Sequence, residues 1–125
     1  MKRNELIRIF VLNAMVDGYV SFQHISEYVG GDCKQCGITA IRSDILDVLI
    51  TLIKDGVAQA YRYSGPPRHE YDETQGVPPL DEIDDPWHSY FLVTKKGREV
   101  HAANTAHWPF DDEYVLRPDW NPPED

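Results

Sequence analysis

The strongest hydrophobic pattern lies between Ile38 and Val57. Apolar residues fall there at Ile41, Ile45, Val48, Leu49, Leu52 and Ile53. Spacings of three and four put them on one stripe of a helix with 3.6 residues per turn. The pattern predicts a long helix, with Thr39 or Ser43 available as its cap and Gly56 to stop it. A break near Arg42-Ser43 would divide it into two shorter helices. After Gly56 the rhythm becomes alternation, with Val57, Gln59, Tyr61 and Tyr63 set against Ala58, Ala60 and Arg62. Period two predicts a β-strand over Val57–Tyr63.

Upstream, Leu6, Ile9, Phe10, Met15 and Val16 predict a core-forming helix over Glu5–Val16, capped by Asn4. Ser21 is placed to cap a second helix, Phe22–Val29, which Gly30-Gly31 should end. Downstream, residues 64–88 hold five prolines and two glycines and keep no helix or strand period. They read as a long loop or a partly disordered insert. Ser89–Thr94 is β-like and should pair antiparallel with the first strand. Thr94 can cap a last helix from Lys95 to about Asn104, with Val100 and Ala103 as its apolar positions. Gly97 inside that helix costs about 1 kcal/mol relative to Ala. Beyond it, residues 105–125 form a Pro- and Trp-containing tail, in which Tyr114-Val115-Leu116 should add a short strand or dock on the domain. The final residues are expected to be mobile.

The order helix, short strand, helix, helix, strand, insert, strand, helix is that of a winged helix-turn-helix domain. Leu49-x-x-Leu52-x-x-x-Gly56-Val57 resembles the end of the recognition helix in many bacterial regulators. Phe91-Leu92-Val93-Thr94-Lys95-Lys96-Gly97-Arg98 resembles the segment that closes their wing, with Val93 as an extra residue. Both look like the multiple-antibiotic-resistance (MarR) and phenolic-acid (PadR) regulator families. The resemblance covers residues 4–104. It implies an α+β, mainly helical winged-helix fold, with a three-helix core, a small antiparallel β wing and a C-terminal helix. On that reading residues 1–104 are the domain, 64–88 a long acidic wing insert, and 105–125 an acidic tail. The implied function is a DNA-binding transcriptional regulator, acting as a homodimer because paired half-sites call for paired domains. The alternative is a winged-helix protein-interaction module without DNA binding, since one fold hosts many functions.

Charge alters that picture. The 125 residues carry a net charge of −9, unfavourable for a polyanion partner. The acidity is local: residues 70–85 hold seven acids and no base, residues 111–125 hold six acids and one base, and residues 1–69 are close to neutral. An acidic insert or tail suits a protein partner better than a phosphate backbone. No apolar run approaches the roughly 20 residues that span a bilayer. Lys2 and Arg3 before an apolar stretch look like the start of a signal peptide, but Glu5, Arg8 and Asn13 interrupt it, and a cytoplasmic protein is expected.

For duplex DNA the candidate contacts are Thr39, Arg42, Ser43 and Lys54 on the long helix, and Arg62, Arg68 and Lys95 around the wing. Asp44 and Asp47 share the helix face and would repel phosphate. Cys33 and Cys36 form a C-x-x-C, which is half of a structural zinc site; His24 and Asp32 are the residues able to complete it. Two reduced cysteines are the plainer reading. The histidines show no metalloprotease spacing, and no phosphate loop or Ser-His-Asp order stands out, so neither an enzyme nor a cofactor is expected. Trp87 and Trp108 should pin the insert and tail to the core, because a ring buried at a boundary covers a large area.

Overall fold

A computed structural model describes Met1 to Glu124; Asp125, the end of the expected tail, lies outside the described residues. The chain is α+β, with five helices and one three-stranded antiparallel sheet. The helices are α1 (Arg3–Met15), α2 (Phe22–Gln35), α3 (Arg42–Lys54), α4 (Leu80–Ile83) and α5 (Lys95–Ala103). The strands are β1 (Ala58–Tyr63), β2 (Tyr71–Glu73) and β3 (Ser89–Val93), in the order β2-β1-β3. Among the described residues no helix is long and apolar enough to cross a membrane.

Helix α1 lies at the centre. Leu6, Ile7, Ile9, Phe10, Val11, Leu12 and Met15 are all buried, so neighbours cover it on nearly every side. Against it pack the narrower stripes of α2 (Phe22, Ile25, Val29, Cys33) and α3 (Ile45, Leu49, Leu52, Ile53). Ser21 caps α2 as expected, its Oγ accepting from the His24 N–H at 3.2 Å. Gly30-Gly31 does not end that helix. It runs on to Gln35 because Asp32 and Cys33, beyond the glycines, are buried, and tertiary packing overrides the glycine penalty.

Helix α3 starts at Arg42, four residues later than the pattern suggests. Ile41 is outside the helix and 59% exposed, so it leaves the buried stripe. Neither Thr39 nor Ser43 is the cap. The Asp44 carboxylate reaches back and accepts from the Ile41 N–H at 3.2 Å, which is the return half of a capping box. Gly56, at φ +74°, closes the helix as expected.

Strands β1 and β3 pair with Ala60 opposite Phe91 and Ala58 opposite Val93, and these four side chains face the core. Val20 extends the sheet beyond β3 by a bridge to Phe91. The segment 64–88 is more ordered than its composition suggests. It contributes β2, paired with β1 through Tyr61–Glu73 and Tyr63–Tyr71, and the short α4, whose Ile83 is buried. Thr94 caps α5, accepting from the Gly97 N–H at 3.1 Å.

The tail returns to the domain. Trp108 and Phe110 stack around Phe10, with ring centroids 5.5 and 6.1 Å away, and Trp120 is packed against the same core. Phe110 bridges Leu116, and Glu124 bridges Lys2. Trp108 therefore pins the tail as expected. Trp87 does not pin the insert: it is 76% exposed.

Candidate functional site

The expected DNA contacts lie in the loop before α3, on α3, on β1, in the turn after β1 and at the start of α5. Thr39 is in the extended loop before α3, and its carbonyl accepts from Arg3. Arg3 also holds Asp44 at 3.1 Å. That hydrogen bond, with the Ile41 N–H, keeps the Asp44 carboxyl below its usual range, so the charge stays on the helix. Arg42, in the first turn of α3, is bound to Asp84 at the end of α4, and its guanidinium lies 4.7 Å from the centre of the Phe22 ring. Arg62 is turned toward the core side of the sheet, 3.0 Å from Ser89 Oγ and 3.8 Å from Asp85. Arg68 is paired with Glu70 in the turn between β1 and β2.

Ser43, Asp47, Thr51 and Lys54 are the exposed residues along α3 after Arg42. One anion and one cation cancel there. Lys54 sits about 18 Å along the helix from Arg42 at 1.5 Å per residue. Lys95, the first residue of α5, has no ion pair among the described residues. A shallow groove between α1 and α3 is lined by Glu5, Arg8, Asp44 and Asp47, and so is acid-rich.

Cys33 and Cys36 are reduced and buried. Burial, with Asp32 nearby, pushes the Cys33 thiol up to about 12 and the Cys36 thiol up to about 11. Asp32 is turned to Tyr114, accepting from its hydroxyl at 2.7 Å. Among the described residues no three His, Cys, Asp or Glu side chains gather as a metal site.

A different cluster emerges on the outer face of the sheet. Tyr61 and Tyr63 of β1, Tyr71 and Glu73 of β2, and Tyr90 of β3 share that face by register. Tyr19 reaches over it and stacks on Tyr71 with centroids 3.9 Å apart and planes 4° from parallel. Tyr71 also meets Tyr63 at 4.9 Å and Tyr90 edge-on at 5.4 Å. Tyr19 and Tyr71 are both exposed. Desolvation by the neighbouring rings raises the Tyr61 and Tyr71 hydroxyls above their usual value.

Beside this face is a cleft of about 530 Å³ between the start of α2 and the end of the insert. Tyr19, His24, Glu27, Pro86, Trp87 and Tyr90 line it. Asp85 fixes the Trp87 wall by accepting from the Trp87 N–H at 3.0 Å and from the His88 ring at 2.9 Å. Burial opposes the Asp85 charge, but these donors outweigh it and hold the carboxyl below its usual value. Alternation in β1 signals the outward tyrosines; nothing in the sequence signals that Tyr19, a loop residue, completes the layer.

The chain matches no family model, no curated protein sequence and no solved structure.

Proposed function

We propose that the chain is a winged-helix protein-interaction module that does not read DNA with its third helix. The three packed helices followed by a β ribbon and a capped helix support the winged-helix part of this reading. One observation carries the functional part. Arg42, in the first turn of the third helix, and Arg62, on the core side of the sheet, are paired with the neighbouring acids Asp84 and Asp85 of the same insert. A DNA reader needs unpaired cations, because neutralising phosphates and releasing counterions supplies most of its nonspecific affinity. Here the exposed line of α3 has Asp47 to set against Lys54.

The second reading, a DNA-binding regulator resembling the MarR and PadR families, rests on the motifs at Leu49–Val57 and Phe91–Arg98 and on Lys54 and Lys95. Fluorescence anisotropy with a labelled mixed-sequence duplex separates the two. The module shows no salt-sensitive binding at about 50 mM salt. Low-salt affinity that falls steeply with added salt, and is lost on Arg42→Ala, would establish the regulator instead.

A further inference from the structure

We infer that the cleft walled by Tyr19, Tyr90 and Trp87 and floored toward Glu27 is a docking site for an arginine- or lysine-rich segment of a partner protein. This rests on the interaction-module reading and gives it a place and a partner chemistry.

Three aromatic side chains from three different parts of the chain line one cleft: Tyr19 from the loop before α2, Trp87 from the insert and Tyr90 from β3. Their faces carry the negative side of the ring quadrupole, which attracts guanidinium and ammonium groups, most strongly at Trp. Glu27, exposed on α2, supplies a full negative charge in the same cleft. The adjoining sheet face continues the pattern, with Glu73 opposite Tyr61 and with no Lys or Arg among its outward residues Gln59, Tyr61, Tyr63, Tyr71, Tyr90 and Leu92. Charge complementarity decides the occupant. A sheet with exposed aromatics can also stack the bases of single-stranded nucleic acid, but such platforms run beside cationic grooves. The acid that the register places on this face is Glu73 of β2, and no cationic groove runs beside it among its outward residues. Its central rings are moreover stacked on each other, at 3.9 Å for Tyr19 and Tyr71. A cationic peptide matches both the charge and the ring chemistry, whereas a polyanion does not match the charge.

Trp87 is 76% exposed, which leaves its ring free to meet a partner at the cleft it lines. Exposed Trp is enriched among the residues that dominate binding energy at interfaces.

The test uses the full chain and three labelled probes at moderate salt: a twelve-residue Arg/Lys-Gly/Ser peptide, its Glu-substituted counterpart, and a twelve-residue oligouridine (roughly the length of a single-strand site). The basic peptide alone should bind. Trp87→Ala should weaken it by about threefold to tenfold, within the range of a partly desolvated cation–π contact. Glu27→Gln, on the opposite wall, should weaken it as well, while Glu113→Gln in the tail should leave it unchanged. Equal affinity in Trp87→Ala and the parent chain overturns this site while leaving the module reading standing, because the attraction is then only the diffuse acidity of the protein. Tighter binding of oligouridine also overturns it. If no peptide binds and duplex DNA does, the module reading itself falls.

Discussion

Arg42 and Asp84, 42 residues apart in sequence, form an ion pair that ties the first turn of α3 to the end of α4. The pair sits where a groove-reading helix would present its first cation. Both side chains are about half exposed, so the pair adds little to stability, about 1 kcal/mol or less. Its consequence is electrostatic: the acid cancels the arginine. Replacing Asp84 and Asp85 with Asn should therefore leave urea-unfolding free energy within about 1 kcal/mol of the parent. It should also fail to create duplex-DNA binding at low salt, because Asp47 remains on the helix. Salt-sensitive affinity appearing in the double variant would show that the insert is a cover over a DNA-reading helix.

Gly97 and Gly30 should respond to alanine with opposite signs. A Cβ at Gly97 would lie 2.1 Å from the Val57 carbonyl oxygen and 3.0 Å from the Val93 Cβ. Backbone cannot yield cheaply there, since the Thr94 N–H binds the same carbonyl at 3.0 Å. Gly97→Ala should destabilise the protein by about 1–3 kcal/mol despite the better helix propensity of alanine. At Gly30, inside α2, an added Cβ meets nothing within 4 Å. Gly30→Ala should stabilise by about 0.5–1 kcal/mol. Thermal melts of the two variants check both; a stabilised Gly97→Ala would remove the close-packing account of the α5–β1 contact.

These two glycines also show what a sequence conveys. The apolar spacing of Ile45, Leu49, Leu52 and Ile53 gives α3, and the hydroxyls of Ser21 and Thr94 give two caps, because those signals are local. The first helix and the strands β1 and β3 are legible for the same reason, and the docking of Trp108 follows from the area that a large ring buries. Gly30-Gly31 misleads, since whether a glycine ends a helix depends on what lies beyond it; buried Cys33 keeps α2 going. Strand β2 is three exposed residues, held by pairing with Tyr61–Tyr63 and by the rings around Tyr71, and carries no hydrophobic period of its own. The candidate site was least legible. Arg42 is visible as a cation, but its cancellation by Asp84 is a long-range fact, as is the meeting of Tyr19 with Tyr71.

The cysteines should behave as buried structural thiols. With the Cys36 thiol raised to about 11 and Cys33 to about 12, the reactive thiolate is scarce at neutral pH. Against a free cysteine near 8.5, a Cys36 thiol at about 11 has a thiolate fraction about three-hundredfold lower even before access is considered. Iodoacetamide at about pH 7.5 should leave both unmodified in the folded chain and label both in about 6 M urea, which exposes the core. Mass spectrometry counts the adducts. Rapid labelling of either cysteine without denaturant would point to an opening of α2 that the packing of Val29 and Cys33 does not foresee.

Asp32 gives stability a pH dependence of unusual sign for a carboxylate. Its side chain is buried near the end of α2, and desolvation raises its pKa above 3.8, while the Tyr114 hydroxyl partly opposes the rise. The folded chain thus holds the Asp32 proton where the unfolded chain has lost it. Folding is favoured by this group at low pH, and that contribution declines as pH climbs from 3.8 through the folded pKa, then stays flat. Asp32→Asn keeps an oxygen able to accept from Tyr114 and removes the titration. The stability difference, parent minus Asp32→Asn, should therefore fall as pH rises from 3.8 through the folded pKa and be constant above. Tyr114 sits in the left-handed region at φ +61°, an arrangement that its 2.7 Å bond to Asp32 helps to hold. Tyr114→Phe, which strips the buried carboxylate of that donor, should cost about 1–3 kcal/mol at neutral pH. The loss should shrink in acid, where the protonated Asp32 asks less of its partner. Urea unfolding of the three proteins across this range is the measurement. A parent chain that gains on Asp32→Asn as pH rises would mean that Asp32 is stabilised as an anion by groups other than Tyr114.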